Sequence, residues 1–286
     1  MRTVPRSPVY CFSVRDFNID VEHFVARISD AFYDLPWDEY LVRQQKIEFL
    51  KQRLSGNQLN GLGDEFWSRF YQGDIDEMSE TLLLSSLHTG CPSFLPTRRR
   101  AISLFELTLS DRRWQIERRS CSGFGQRNAL VDDVRRHDYR VGQRNFAELD
   151  DSLVNDDLVT LLRSVASRVH EVRPDVPRLE IAVHHTQIVV RPGESATNAP
   201  EGIHQDGMDY IVSALVVERN NVEGGTSIVY ASDKRTRLYE ITLQSGQGLF
   251  QPDHGSDLWH TVTPIKPVSE APGYRSSIGF DITLKQ

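Results

Sequence analysis

The sequence predicts a mainly β fold with flanking helices, an α+β chain with a helical N-terminal region over residues 1–95 and a β core over 96–286. Three observations carry this. After Pro177, short runs rich in Val, Ile, Tyr and Thr follow one another at 179–190, 210–217, 227–230, 238–243 and 274–284. Clusters of Gly, Pro, Asn and Asp separate them at 191–202, 220–225 and 245–248, the texture of an antiparallel sandwich or barrel. Upstream, apolar residues recur instead at the three-to-four spacing of a helix face.

Residues 21–33 place Phe24, Ile28 and Phe32 along one stripe, which predicts a helix. Residues 37–54 are rich in Glu, Lys, Gln, Arg and Leu, all good helix formers. Thr89–Gly90–Cys91–Pro92, running on to Pro96, breaks that periodicity and marks a boundary. Residues 153–172 predict a further helix, with Leu158, Leu161, Leu162 and Val165 on its apolar side. The whole reads as one structural unit, a helical flank packed on the β core.

Composition narrows the function. With 39% hydrophobic and 26% charged residues the chain is ordinary globular protein, large enough to shield reactive chemistry in a core. The net charge of −7 repels phosphate backbones and anionic membranes, so neither nucleic acid nor membrane is an expected partner. Arg98–Arg99–Arg100 and Arg118–Arg119 read as short solvated basic runs. Cys11, Cys91 and Cys121 lie far apart, without the spacing of a zinc site, and so sparse a set fits a reducing compartment. With no apolar leader and no membrane-length apolar run, the expectation is a soluble cytoplasmic protein.

His204–Gln205–Asp206 is the central motif. Side chains two apart on an extended segment share a face, so imidazole and carboxylate can reach one metal together. A third ligand, His260, stands in Leu258–Trp259–His260–Thr261–Val262–Thr263–Pro264. Two histidines and one carboxylate leave open positions on iron for co-substrate and oxygen, the arrangement of non-haem Fe(II) oxygenases. Arg275 and Ser277 follow, again two apart, as a guanidinium and a hydroxyl suited to clamp a carboxylate. His254 is a rival third ligand, but its neighbours Asp253, Gly255, Ser256 and Asp257 predict a loop.

Pro200–Glu201–Gly202–Ile203–His204–Gln205–Asp206–Gly207 resembles the metal-binding stretch of bacterial 2-oxoglutarate-dependent amino acid hydroxylases, the group that contains L-isoleucine hydroxylases. Gly224–Gly225–Thr226, Tyr230, His260 with Val262–Thr263–Pro264–Ile265, and Tyr274–Arg275 add to the likeness, which extends from about Leu179 to the C-terminus. The resemblance implies a double-stranded β-helix (a jelly roll, cupin-like) braced by helices. It implies Fe(II), 2-oxoglutarate and O2, with oxidation of 2-oxoglutarate to succinate and CO2 coupled to hydroxylation of an aliphatic C–H bond. His204, Asp206 and His260 would bind iron, Arg275 would hold the distal carboxylate of 2-oxoglutarate, and Ser277 would partner that arginine. The spacing of the acidic residues in Asp253–His254–Gly255–Ser256–Asp257 departs from the family pattern. An Asp rather than a small residue at 206 argues for hydroxylation over halogenation.

The remaining candidates have plainer readings. His184 and His185 point to opposite faces of their strand as hydrogen-bonded core or edge histidines, with Gln187 on the face of His185 as a candidate for the co-substrate pocket. Trp259 reads as packing, and Gly224–Gly225 as a hairpin turn. The expected substrate is a small molecule, a free amino acid or derivative, whose carboxylate would need Arg127, Arg140, Arg144 or Arg191. The helical first third is a candidate lid or homodimer surface. Two alternatives compete: a jelly-roll iron enzyme that does not use 2-oxoglutarate, and a non-catalytic metal-binding module.

Overall fold

The computed structural model describes residues 8–63, 65, 66, 95–121 and 146–285. They fall into two compact units. One holds residues 38–63, 65, 66, 95 and 96, with helices α3 (Glu39–Arg53) and α4 (Gly56–Gly61). Asp38 caps α3 by accepting from the backbone N–H of Tyr40 and Leu41, and Ile47, Leu50, Leu54 and Leu59 form a small core of its own.

The other unit contains residues 8–37, 97–121 and 146–285, and is built on an antiparallel seven-stranded sheet. Its strands, in spatial order, are β1 (Tyr10–Ser13), β9 (Gln247–Pro252), β5 (Tyr210–Asn220), β12 (Gly273–Lys285), β4 (Arg178–Val190), β2 (Arg98–Ser110) and β3 (Arg113–Arg119). A three-stranded sheet joins β10 (Trp259–Val262), β7 (Ser227–Tyr230) and β8 (Arg237–Ile241), and β11 (Ile265–Pro267) pairs with β6 (Val222–Gly224). This is the expected jelly-roll core with flanking helices.

Alternation along the strands divides the large sheet into two faces. The outer face carries Ala101, Phe105, Leu179, Ile181, Val183, Ile278, Phe280 and Ile282. It is covered by α1 (Val21–Ile28), by α2 (Ala31–Asp34) and by α5 (Asp156–Val172). Helix α5 starts where Asn155 accepts from the N–H groups of Asp157 and Leu158, and acidic residues in its first turn suit the helix dipole. It buries Leu158, Leu161, Leu162, Val165, Ala166 and Val169, each worth about 1.5–3 kcal/mol for the large side chains. The inner face meets the smaller sheets through Ala214, Val216, Val229, Leu249 and Leu258, and through Ile188, Val190 and Ile265.

Several elements differ from the sequence reading. The helix expected over 21–33 breaks into α1 and α2. Arg98–Arg99–Arg100 opens β2, which is paired on both sides, by β4 and β3, and Arg98 is buried. The segment 245–248, read as a loop, already includes the start of β9. Gly224–Gly225 is not a hairpin turn, because β6 and β7 pair with different partners; both glycines take positive φ where the chain crosses from one small sheet to the other. Among the described residues, no helix is long and apolar enough to cross a membrane.

Candidate active site

The site is assembled by one short ladder. His204 and His260 form an isolated antiparallel bridge, each backbone N–H donating to the other's carbonyl at 2.9 and 3.0 Å. That pairing sets the two imidazoles side by side with ring centroids 4.3 Å apart. Asp206, two residues beyond His204, turns its carboxylate between them: Oδ1 lies 3.4 Å from His204 Nε2 and Oδ2 lies 3.3 Å from His260 Nε2. His204 Nδ1 is 2.9 Å from the carbonyl of Gly202, so that nitrogen must carry the proton and donate. The lone pair of Nε2 is thereby directed into the site.

These residues fit a metal. Their ligand atoms all lie within 4.8 Å of one another. Ligands about 2.1 Å from one ion, at right angles, would be about 3.0 Å apart, close to the 3.4 and 3.3 Å between the Asp206 oxygens and the two imidazole nitrogens. The buried Nε2 of His260 makes no hydrogen bond among the described residues, although Asp206 is near, which leaves that nitrogen available to an ion. Burial opposes charge on all three groups, and their mutual attraction works the other way. Against that burial, Asp206 and Asp253 push His260 up to about 10, and Asp206 and Glu201 raise His204. Burial likewise works against the Asp206 carboxylate, but the two imidazoles hold it well below the usual range. A divalent cation would replace the protons that this field attracts.

The loop geometry depends on two residues that the sequence reading passed over. Asp253, fully buried, accepts from the backbone N–H of Gly207 at 2.7 Å, Met208 at 3.0 Å and Asp206 at 3.2 Å. Gln205, between the two ligands in sequence, donates from Nε2 to the carbonyls of Asp253, Ser256 and Leu258. The two segments that bear ligands are thus bolted together. The one signal for Asp253 in the sequence was the unusual acidic spacing of its loop. His254 is exposed in a turn and stands outside the cluster.

Arg275 lies on β12 with 3% of its surface exposed, and its Nε and Nη2 have no hydrogen-bond partner among the described residues. Burial and the neighbouring Arg219 push its guanidinium down to about 10. No carboxylate of the described residues pairs with it, so the alternative of a structural salt bridge finds no partner. Ser277 is buried on the same face of β12. Gln187 is not brought to that face: its Nε2 donates to Ser276 Oγ at 3.3 Å, and Ser276 alternates with Arg275 and Ser277.

His184 is on the inner face, with Nε2 2.9 Å from Asp281 Oδ2 and Nδ1 2.6 Å from Arg100 Nη2. His185 faces outward against Phe32, with ring centroids 5.6 Å apart, and burial drives its pKa down to about 3. The Lys234 ammonium sits 3.5 Å above the Trp259 ring. Arg191 pairs with Glu194 in a loop, and Arg127, Arg140 and Arg144 lie outside the described residues.

A family model described as 2OG-Fe dioxygenase matches residues 88–281, more than half of the chain and all of the site above. No curated protein matches the chain in sequence. Among solved structures it is similar to IDO from Bacillus thuringiensis, with a TM-score of 0.61 and 13% identity over 98% of this chain and 95% of that one. It is also similar to a bsmA homolog from Methylobium petroleophilum PM1, with a TM-score of 0.57 and 19% identity over 76% and 81% of the two chains. At these identities the likeness is one of fold.

Proposed function

We propose, from the premise that this chain belongs to the 2OG-Fe dioxygenase family, that it hydroxylates an aliphatic C–H bond of a free amino acid or amino-acid-derived small molecule. The family uses Fe(II), 2-oxoglutarate and O2, which sets aside both alternatives that lacked the co-substrate or the catalysis. In this reading His204, Asp206 and His260 hold the iron, and Arg275 holds the far carboxylate of 2-oxoglutarate. The observation that carries it is the buried guanidinium of Arg275, whose Nε and Nη2 have no hydrogen-bond partner among the described residues, on the inner face of a sheet whose fold also presents a converging His–Asp–His set.

When bound, iron would couple the reduction of O2 to the oxidation of 2-oxoglutarate, one oxygen atom entering succinate as CO2 leaves and the other entering the substrate. The chain's own residues do the rest. Gly202 fixes the tautomer of His204, so that a neutral imidazole presents Nε2. Asp253 and Gln205 hold the loop in which Asp206 stands, so the carboxylate keeps its place between the imidazoles. Arg275, kept dry by Ile188 and Ile265 near it, binds a carboxylate more strongly than an exposed arginine would. With 2-oxoglutarate pinned at that end, its 2-oxo acid end would be left for the metal that His204, Asp206 and His260 would hold.

The amino-acid substrate is supported by the resemblance of Pro200 to Gly207 to amino acid hydroxylases. The test is a panel of amino acids and their small derivatives with Fe(II)-loaded protein, scored by succinate and product mass. A substrate should yield succinate in step with a product heavier by one oxygen atom. Succinate release that no amino acid or derivative accelerates would remove the substrate class and leave the co-substrate reading standing.

A further inference from the structure

We propose that Arg219 is a second anchor for the far carboxylate of 2-oxoglutarate, so that the guanidiniums of Arg219 and Arg275 close on one anion. This rests on the reading of Arg275 given above. Strand register comes first. Along β5, Ala214 and Val216 belong to the inner core, while Leu215 and Val217 belong to the outer one. Unbroken alternation would send Arg219 outward with them. A β-bulge prevents it: Ser277 pairs with Val216 but Ser276 pairs with Glu218, leaving Val217 as the extra residue. Parity then shifts by one. Glu218 falls on the side of Tyr274, whose pKa burial raises and Glu218 raises further, and Arg219 comes opposite Arg275.

The two side chains converge. A Cβ built on Gly225 would lie 3.0 Å from Arg219 Nη1 and 3.1 Å from Arg275 Cδ, so both flank the same glycine, which also has φ +67°. Arg219 is anchored by one arm, donating from Nη2 to the carbonyl of Gly224 at 2.7 Å. Its Nη1 is buried with no partner among the described residues, as are Nε and Nη2 of Arg275. Like charges opposite one another across a ladder repel, and unsatisfied buried donors are costly. An anion between them relieves both penalties. A carboxylate has two oxygens and about four acceptor sites, enough for both guanidiniums. The pair would therefore select 2-oxo dicarboxylic acids over 2-oxo monoacids, since a monoacid leaves two buried cations unneutralised.

The test is calorimetric binding of 2-oxoglutarate and of 2-oxobutyrate to Mn(II)-loaded protein. Arg219→Gln keeps an amide donor for the Gly224 carbonyl while removing the charge; Arg219→Ala removes both. Each variant should bind 2-oxoglutarate about tenfold to a hundredfold more weakly, with binding of 2-oxobutyrate unchanged. Equal weakening of both acids would reveal a merely structural role and overturn the proposal. So would wild-type affinity for 2-oxoglutarate in both variants while Arg275→Ala loses it, which would leave Arg275 as sole anchor. Wild-type affinity in Arg275→Ala as well would bring down Arg275 as the carboxylate anchor together with this proposal, and leave the co-substrate itself standing.

Discussion

Replacing Asp253 by alanine should damage the metal site without altering any of the three ligand residues. Its carboxylate accepts from three consecutive backbone N–H groups, those of Asp206, Gly207 and Met208, and is fully buried. Hydrogen bonds to a charged acceptor contribute about 1.5–3 kcal/mol each, so three would sum to roughly 5–9 kcal/mol before the other side of the balance is counted. Alanine also removes the cost of burying a carboxylate, several kcal/mol, and water entering the space can satisfy part of the loop. The net loss should be about 3–5 kcal/mol of stability, a large share of what a domain has. Asp253→Asn is milder. Gly207 and Met208 both donate to Oδ2, which an amide oxygen can replace, while the amide NH2 then faces the N–H of Asp206, a loss of about 1–2 kcal/mol. Since the loop positions the Asp206 carboxylate, iron affinity should fall about 10–100-fold in the alanine variant. Urea denaturation of metal-free protein gives the first quantity, and iron competition against a chelator gives the second. A wild-type urea midpoint together with wild-type iron affinity in Asp253→Ala would refute the reasoning.

The other expectations concern the ligands, the anion site and the buried histidine. His260→Ala should abolish turnover and iron binding, whereas His254→Ala, at an exposed turn, should leave both near wild type; iron content and succinate release in the two variants decide the order. Arg275→Ala should raise the KM for 2-oxoglutarate at least about a hundredfold, from a loss of about 3–5 kcal/mol, with iron content unchanged and Arg275→Lys recovering only part. Because Nε and Nη2 of the guanidinium have no partner among the described residues, the ligand-free Arg275→Met protein should melt no earlier than wild type; early melting with an unchanged KM would sink the clamp. His185 is driven down to about 3 from 6.5, so the unfolded chain takes up its proton first as the pH falls. Its contribution is whole above pH 6.5 and is lost as the pH drops toward 3. Between pH 6.5 and 4.5 the wild type should lose up to about 2–3 kcal/mol that His185→Leu does not, measured by urea unfolding at each pH.

Much of this protein was legible in sequence wherever the informative pattern is local. Alternation and β-branched texture located the strands that became β4, β5, β7, β8 and β12, because a strand's residue preferences act on each residue in place. The stripe of Leu158, Leu161, Leu162 and Val165 located the buried face of α5 for the same reason. Spacing by two placed His204 with Asp206 and Arg275 with Ser277, since it is a property of extended backbone itself. What tertiary structure alone decided was which distant segments meet and on which face. The bridge between His204 and His260 is a pairing across 56 residues that no local preference encodes. Gln187 sits with Ser276 because of ladder register, and Arg219 turns toward Arg275 because one extra residue in β5 reverses its parity. Arg98 read as surface charge because composition is local, while burial depends on neighbours supplied by β4 and by Asn198, a hundred residues away. Asp253 held its function in three backbone N–H groups of another loop, groups every residue but proline carries, so only folding could single them out.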